Sequence, residues 1–192
     1  MEDLDALVRI LEEGGVIACP TETWLGLLAD AGNPRAIERV ATLKGRRADM
    51  PIALLLPDQA AVAKVAFEPS DRAQALMRAH WPGPLTILLR AKPGLSPRLV
   101  RNGKVGVRVP GSSPASELIQ AFGRPLTATS ANRTGEPPLR TASELPADLA
   151  RGVDGAVPGA SPGGLASTLV DSTTNPMKIL RAGATDIDPA AL

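Results

Sequence analysis

The chain has 192 residues, 44% hydrophobic and 21% charged, with 21 basic against 20 acidic side chains and a net charge of +1. That balance excludes wholesale disorder and a strong whole-molecule field for nucleic acid, and the length fits one compact domain, taken as 1–192. Only 2% of the residues are aromatic, so the core must be built from Leu, Val, Ile and Ala, and a platform for stacking several bases is not available.

Leu4, Leu7, Val8 and Leu11 recur at helical spacing and predict a first helix, stopped by Gly14-Gly15 before the strand VIACP. The opening residues are acidic and lack a basic segment followed by an apolar one, which reads as no secretion signal, and no apolar stretch reaches membrane-spanning length. After the strand, PTETWLGLLADA at 20–31 places two threonines and Glu22 where the chain leaves the core, either as a turn or as hydroxyls presented to a ligand. Asn33-Pro34 reads as an N-cap with Pro at the first helical position, opening a helix to about Lys44. PIALLL at 51–56 reads as a buried strand, and two short helices are predicted over 58–66 and 70–79. WPGP then launches the strand LTILLRA, and VGVRVP at 105–110 alternates its side chains. A helix over 114–122 ends at Gly123 and leads into PLTATSAN. A helix near 141–150, three short strands in DGAV, STLVD and KILRAG, and a weak tail complete the chain. Strands interleaved with helices, several of them lacking a helix between, predict an α/β domain with a mixed sheet.

Few residues here can do covalent chemistry. With one His and one Cys, a zinc site of several His or Cys ligands is excluded. His80 lacks a G-x-S-x-G serine to serve and reads as structural, and Cys19, inside an apolar run, reads as a buried thiol suited to a reducing cytoplasm. Neither GxxxxGK[ST] nor GxGxxG occurs. Lys44, Arg46 and Arg47 in KGRRADMP are either a phosphate site or cations complementing a helix C-terminus, the commoner case. Arg108 in VGVRVP and Arg181 in KILRAG each need an anionic partner or an exit to solvent. Ser130 and Asn132 in TATSAN, and Ser167 in AST, lie at strand ends where α/β proteins bind ligands and where turns use the same residue types.

Seven segments, PTETWLGL, KGR, WPGPLT, VGVRVP, TSAN, ASTLVD and LRAG, stand in one order between about residues 14 and 183. In that order and spacing the sequence resembles the YrdC-like family, best known for threonylcarbamoyl-AMP synthases. The resemblance implies an open, twisted mixed sheet, the YrdC/RibB-like fold, curved around a deep, positively lined cavity. It implies a reaction in which L-threonine, bicarbonate or CO2, and ATP with Mg²⁺ give L-threonylcarbamoyladenylate and pyrophosphate, for the N6-threonylcarbamoyl modification of adenosine 37 in tRNA. On the matching positions, Thr23, Arg108 and Ser167 would hold threonine. Lys44 and Arg46 would meet the ATP phosphates as the catalytic cations, while Ser130, Asn132 and Arg181 would hold the nucleotide. No metal-ligating residue is implied.

Three positions depart from the family pattern. Leu25 stands where an aromatic usually precedes the glycine of the first motif, Met50 where Asn or Lys usually precedes Pro51, and Leu55 where many long members have His. The ending after LRAG resembles the short single-domain form, whose product goes to a separate tRNA threonylcarbamoyl transferase complex in the cytoplasm. Two other readings are an RNA-binding module using a basic cavity rim, which near-neutral charge and scarce aromatics disfavour, and a paralogue acting on another carbamoyl acceptor.

Overall fold

The structure, a computed structural model, describes residues 4–47 and 49–188. Most of the expected helices form, those opening at Pro34 and Pro114 with their expected caps, while the one expected over 58–66 is helical only at Val62–Val65. Helix α1 covers Leu4–Glu12, and α2 covers Pro34–Leu43, where the Asn33 side chain accepts from the Arg35 and Ala36 amides and Pro34 follows the cap. Helices α3, Val62–Val65, and α4, Asp71–His80, precede α5, Pro114–Phe122, which opens on a Ser113/Ser116 capping box and ends on Gly123 at φ +70°. The helix expected near 141–150 is broken into a 3-10 turn at Ala142–Glu144 and a short α6 at Ala147–Ala150. Pro146 separates them, because its ring and missing N–H stop a helix from running through. The weak tail at 189–192 lies outside the described residues.

Ten strands join in one mixed sheet. They are β1 (Ile17–Pro20), β2 (Leu25–Leu28), β3 (Ala53–Leu55), β4 (Leu85–Arg90), β5 (Val100–Arg101), β6 (Lys104–Arg108), β7 (Leu126–Ser130), β8 (Gly155–Ala156), β9 (Thr168–Asp171) and β10 (Lys178–Arg181). The order is β10-β9-β4-β6-β3-β7-β2-β1-β8, with β5 also on β6. Parallel pairs (β3 with β6, β4 with β9, β1 with β8) sit among antiparallel ones, as expected for a mixed sheet.

Two strands were not foreseen. PTET is the loop of a hairpin, with Pro20 paired to Leu25 and Ile17 to Leu28, so LGLL is β2 and not an exit loop. The second, β5, turns into β6 through Asn102 at φ +51° and Gly103 at φ +70°. An Asn-Gly pair with two positive φ values is the two-residue hairpin turn that matches strand twist.

The strand pleat divides the work of the fold. Leu27, Leu54, Ile87, Val107 and Val170 point to one face, where they pack with α2, α3 and α4 through Ile37, Val40, Val62, Val65, Leu76 and Met77. The opposite face is covered only in part. There α1 and α5 cover Ile17, Cys19, Leu28 and Leu55 with Leu7, Leu11, Leu118, Ile119 and Phe122, and the rest of that face forms a hollow.

Candidate active site

The hollow has a volume of about 330 Å³. Its walls come from alternate residues of six strands: Gly26 and Leu28, Ala53 and Leu55, Thr86 and Leu88, Gly106 and Arg108, Ala128 and Ser130, and Leu169 with Arg181 of β10 beside it. The small residues make its floor and the polar ones its ends. Among the sequence-predicted residues, Thr23, Arg46, Arg108, Ser130, Asn132, Ser167 and Arg181 all line it. Side chains from positions 23 to 181 thus converge because the strands that carry them are neighbours in the sheet.

In the PTET loop both threonines border the hollow, and the first also closes the turn. Thr21 builds the turn: its hydroxyl donates to the Trp24 carbonyl (2.7 Å) and accepts the amides of Thr23 and Trp24. Thr23, 6% exposed, lines the hollow with its hydroxyl 3.1 Å from that of Thr21.

Arg108 ends β6 as a buried guanidinium, 6% exposed, whose Nε has no hydrogen-bond partner among the described residues. Glu22 is its one close acid, with Oε1 3.2 Å from Nη1, outside hydrogen-bonding alignment. Burial pushes the Arg108 pKa down; Glu22 opposes this, and the nearby Arg181 adds to it. The group remains charged nonetheless, given the starting basicity of a guanidinium.

Arg181 is exposed at the rim and tied inward. Its Nε donates to the Ser167 carbonyl (3.0 Å) and its Nη2 to the Ser167 hydroxyl (3.1 Å), which lies 3.1 Å from the hydroxyl of Thr86. This places Arg181 beside Ser167 and Arg108. Thr86 was missed in the sequence, where its signal was a lone hydroxyl in the apolar strand LTILLR. Gly183 explains why the chain can run so close: a Cβ there would lie 2.2 Å from the Ala166 carbonyl oxygen and 2.6 Å from the Thr168 amide.

At the other end, Arg46 spends much of its fork on its own loop. Nε donates to Met50 O (2.7 Å) and Nη2 to Pro51 O (2.6 Å), leaving Nη1 directed to the Thr129 hydroxyl at 3.4 Å. Burial lowers its pKa. Lys44 stands behind the wall, 2% exposed, and is not part of the lining. Its ammonium donates to Ser130 O (2.5 Å), Asn132 O (2.7 Å) and Asn132 Oδ1 (3.1 Å), while its own carbonyl accepts from Thr134. Burial and then Arg46 push the Lys44 pKa down to about 8. The Asn132 amide donates to Arg133 O and Glu136 O, so the SAN turn is closed on itself and on Lys44.

Burial, followed by Glu117, pushes the Cys19 thiol up to about 12, so it stays protonated and inert. Among the described residues no three His, Cys, Asp or Glu side chains are grouped to hold a metal ion. Among the described residues no helix is long and apolar enough to cross a membrane.

A mixed sheet whose open face gathers three guanidiniums, several hydroxyls and a closed polar turn defines an α/β protein with a polar, positively lined hollow. The Sua5/YciO/YrdC family model, described as Telomere recombination, matches residues 9–183, and the chain belongs to that family. It is 35% identical over 177 residues to a threonylcarbamoyl-AMP synthase of Bacillus subtilis (strain 168), covering 91% of this chain and 51% of that protein. To the threonylcarbamoyl-AMP synthase of Stenotrophomonas maltophilia (strain K279a) it is 38% identical over 167 residues, covering 85% of this chain and 89% of that one. The crystal structure of Pyrococcus abyssi Sua5 complexed with L-threonine superposes with a TM-score of 0.85 at 31% identity, over 94% of this chain and 54% of that chain. The chain spans about half the length of the Bacillus and Pyrococcus relatives.

Proposed function

We propose that the hollow binds L-threonine and ATP and that the protein is a nucleotidyltransferase making L-threonylcarbamoyladenylate and pyrophosphate. The observation that carries this reading is Arg108: a guanidinium buried at the end of a strand, facing a cavity, with its Nε donor unspent. Such a group is costly unless an anion is to arrive. A carboxylate fits its fork, and Thr23, Ser167 and Thr86 offer hydroxyls around it for a small polar amino acid.

The substrate amine takes up CO2 to give a carbamate, and a carbamate oxygen attacks the α-phosphorus in line as pyrophosphate leaves. Both reactants are anions, so the site must position them and spread their charge. Arg108 takes the amino-acid end, and Arg181, expected at the nucleotide, stands with it because it is bonded to Ser167; the SAN turn takes the nucleotide, and Arg46 takes the phosphates through its Nη1 edge. Lys44 holds the SAN turn and lends its charge from behind. Magnesium accompanies ATP as part of the substrate. The product would pass to a tRNA threonylcarbamoyl transferase, a reading in which the activity is cytoplasmic.

The test is pyrophosphate release from ATP and Mg²⁺ with bicarbonate and threonine. Threonine-dependent release, lost in Arg46→Ala, is expected; release no greater than in that variant overturns the reading.

A further inference from the structure

Glu22 has no role in the chemistry above, yet it is the acid placed nearest the receptor. Its side chain is 11% exposed, and neither oxygen accepts a hydrogen bond among the described residues. It does not line the cavity. Its stem is wedged against the backbone beyond β6, where a Cβ on Gly111 would lie 3.4 Å from Glu22 Cγ. A carboxylate kept dry and unspent is expensive, and its one close cation is Arg108.

We infer that Glu22 is a positioning residue that steadies the Arg108 guanidinium from behind, so that its free donors face the amino-acid carboxylate. The inference rests on the reading of Arg108 as that carboxylate's receptor. Arg108 has a like charge beside it in Arg181, and a long side chain whose Nε is unpartnered has rotamers to lose. The contact at 3.2 Å supplies attraction without using hydrogen-bond directions. Glu22 also sets the charge count. Two guanidiniums against Glu22 leave one positive charge, which the single carboxylate of an amino acid matches. The Glu22 charge also repels that ligand. Because Glu22 stands outside the lining, the ligand meets the guanidinium first, and positioning outweighs repulsion.

Threonine binding by calorimetry and steady-state kinetics of the wild type, Glu22→Gln, Glu22→Asp, Arg108→Gln and the Glu22→Gln/Arg108→Gln double variant decide the matter. Glu22→Gln is expected to weaken threonine by about 10-fold or more, with the ATP KM unchanged within about twofold. Glu22→Asp should recover part of the loss, and Glu22→Gln should add nothing in the Arg108→Gln background. Threonine binding by Glu22→Gln equal to or tighter than wild type, with Arg108→Gln weakened, overturns the positioning role and leaves the receptor reading intact. Unchanged binding by Arg108→Gln overturns the receptor reading itself. If Glu22→Gln does not fold, Glu22→Asp carries the test, and unweakened binding there overturns the inference.

Discussion

Replacing Lys44 with Met tests whether the cation of the KGR segment works as a clasp. The ammonium makes three hydrogen bonds of 3.1 Å or shorter, to Ser130 O, Asn132 O and Asn132 Oδ1. Bonds from a charged donor are worth about 1.5–3 kcal/mol each, so the set amounts to roughly 6 kcal/mol. Against this, a pKa pushed down to about 8 from 10.5 means that burial, and after it the neighbouring Arg46, cost the charged form about 3 kcal/mol relative to the neutral amine. Lys44→Met removes both, for a net loss of about 3 kcal/mol, or about 6–12 °C in Tm at this chain length. Thermal and urea denaturation at neutral pH measure it. A variant as stable as wild type would refute the clasp and return Lys44 to a purely electrostatic role. The pH dependence gives a second reading of the same group. The folded pKa lies below the unfolded one, so the charging cost is fully present below pH 8 and fades as pH rises toward 10.5. The wild type should gain stability relative to Lys44→Met across that window, and a flat difference would contradict the buried ammonium.

Gly183→Ala places a methyl group against the Ala166 carbonyl and Thr168 amide, and should shift Ser167, which immediately precedes β9; a loss of about 10-fold or more in threonine kcat/KM is expected. Thr86→Val removes the hydroxyl partner of Ser167, and should raise the threonine KM about 5-fold, near 1 kcal/mol, with the ATP KM unaffected. Asn33→Ala removes the cap of α2 far from the hollow, and should cost about 1 kcal/mol in urea denaturation with kinetics unchanged.

Local rules made the helices legible: Asn33-Pro34 and Gly123 mark ends that chemistry enforces. The cavity face was legible wherever a polar residue interrupted an apolar strand, as at Arg108, and the same cue in LTILLR went unread at Thr86. The β1–β2 hairpin was hidden because LGLL is short and fully buried, so it carries no alternation. β5 was signalled by Asn102-Gly103 and overlooked. Other features are long-range and have no local trace. Nothing near Lys44 in sequence says that its ammonium will find carbonyls 86 and 88 positions away. Nor does the PTET segment announce that Glu22 ends against an arginine on β6.

The pleat of the central strands has an evolutionary reach. Residues such as Leu54 and Val107 serve cohesion, while their immediate neighbours Leu55 and Arg108 face a guest, so selection can rewrite one register while leaving the other alone. Ligand preference can therefore drift among descendants of one scaffold without a toll on folding. The family departure at Leu55 sits on that side of the sheet, where it borders the hollow and also packs under α1 and α5.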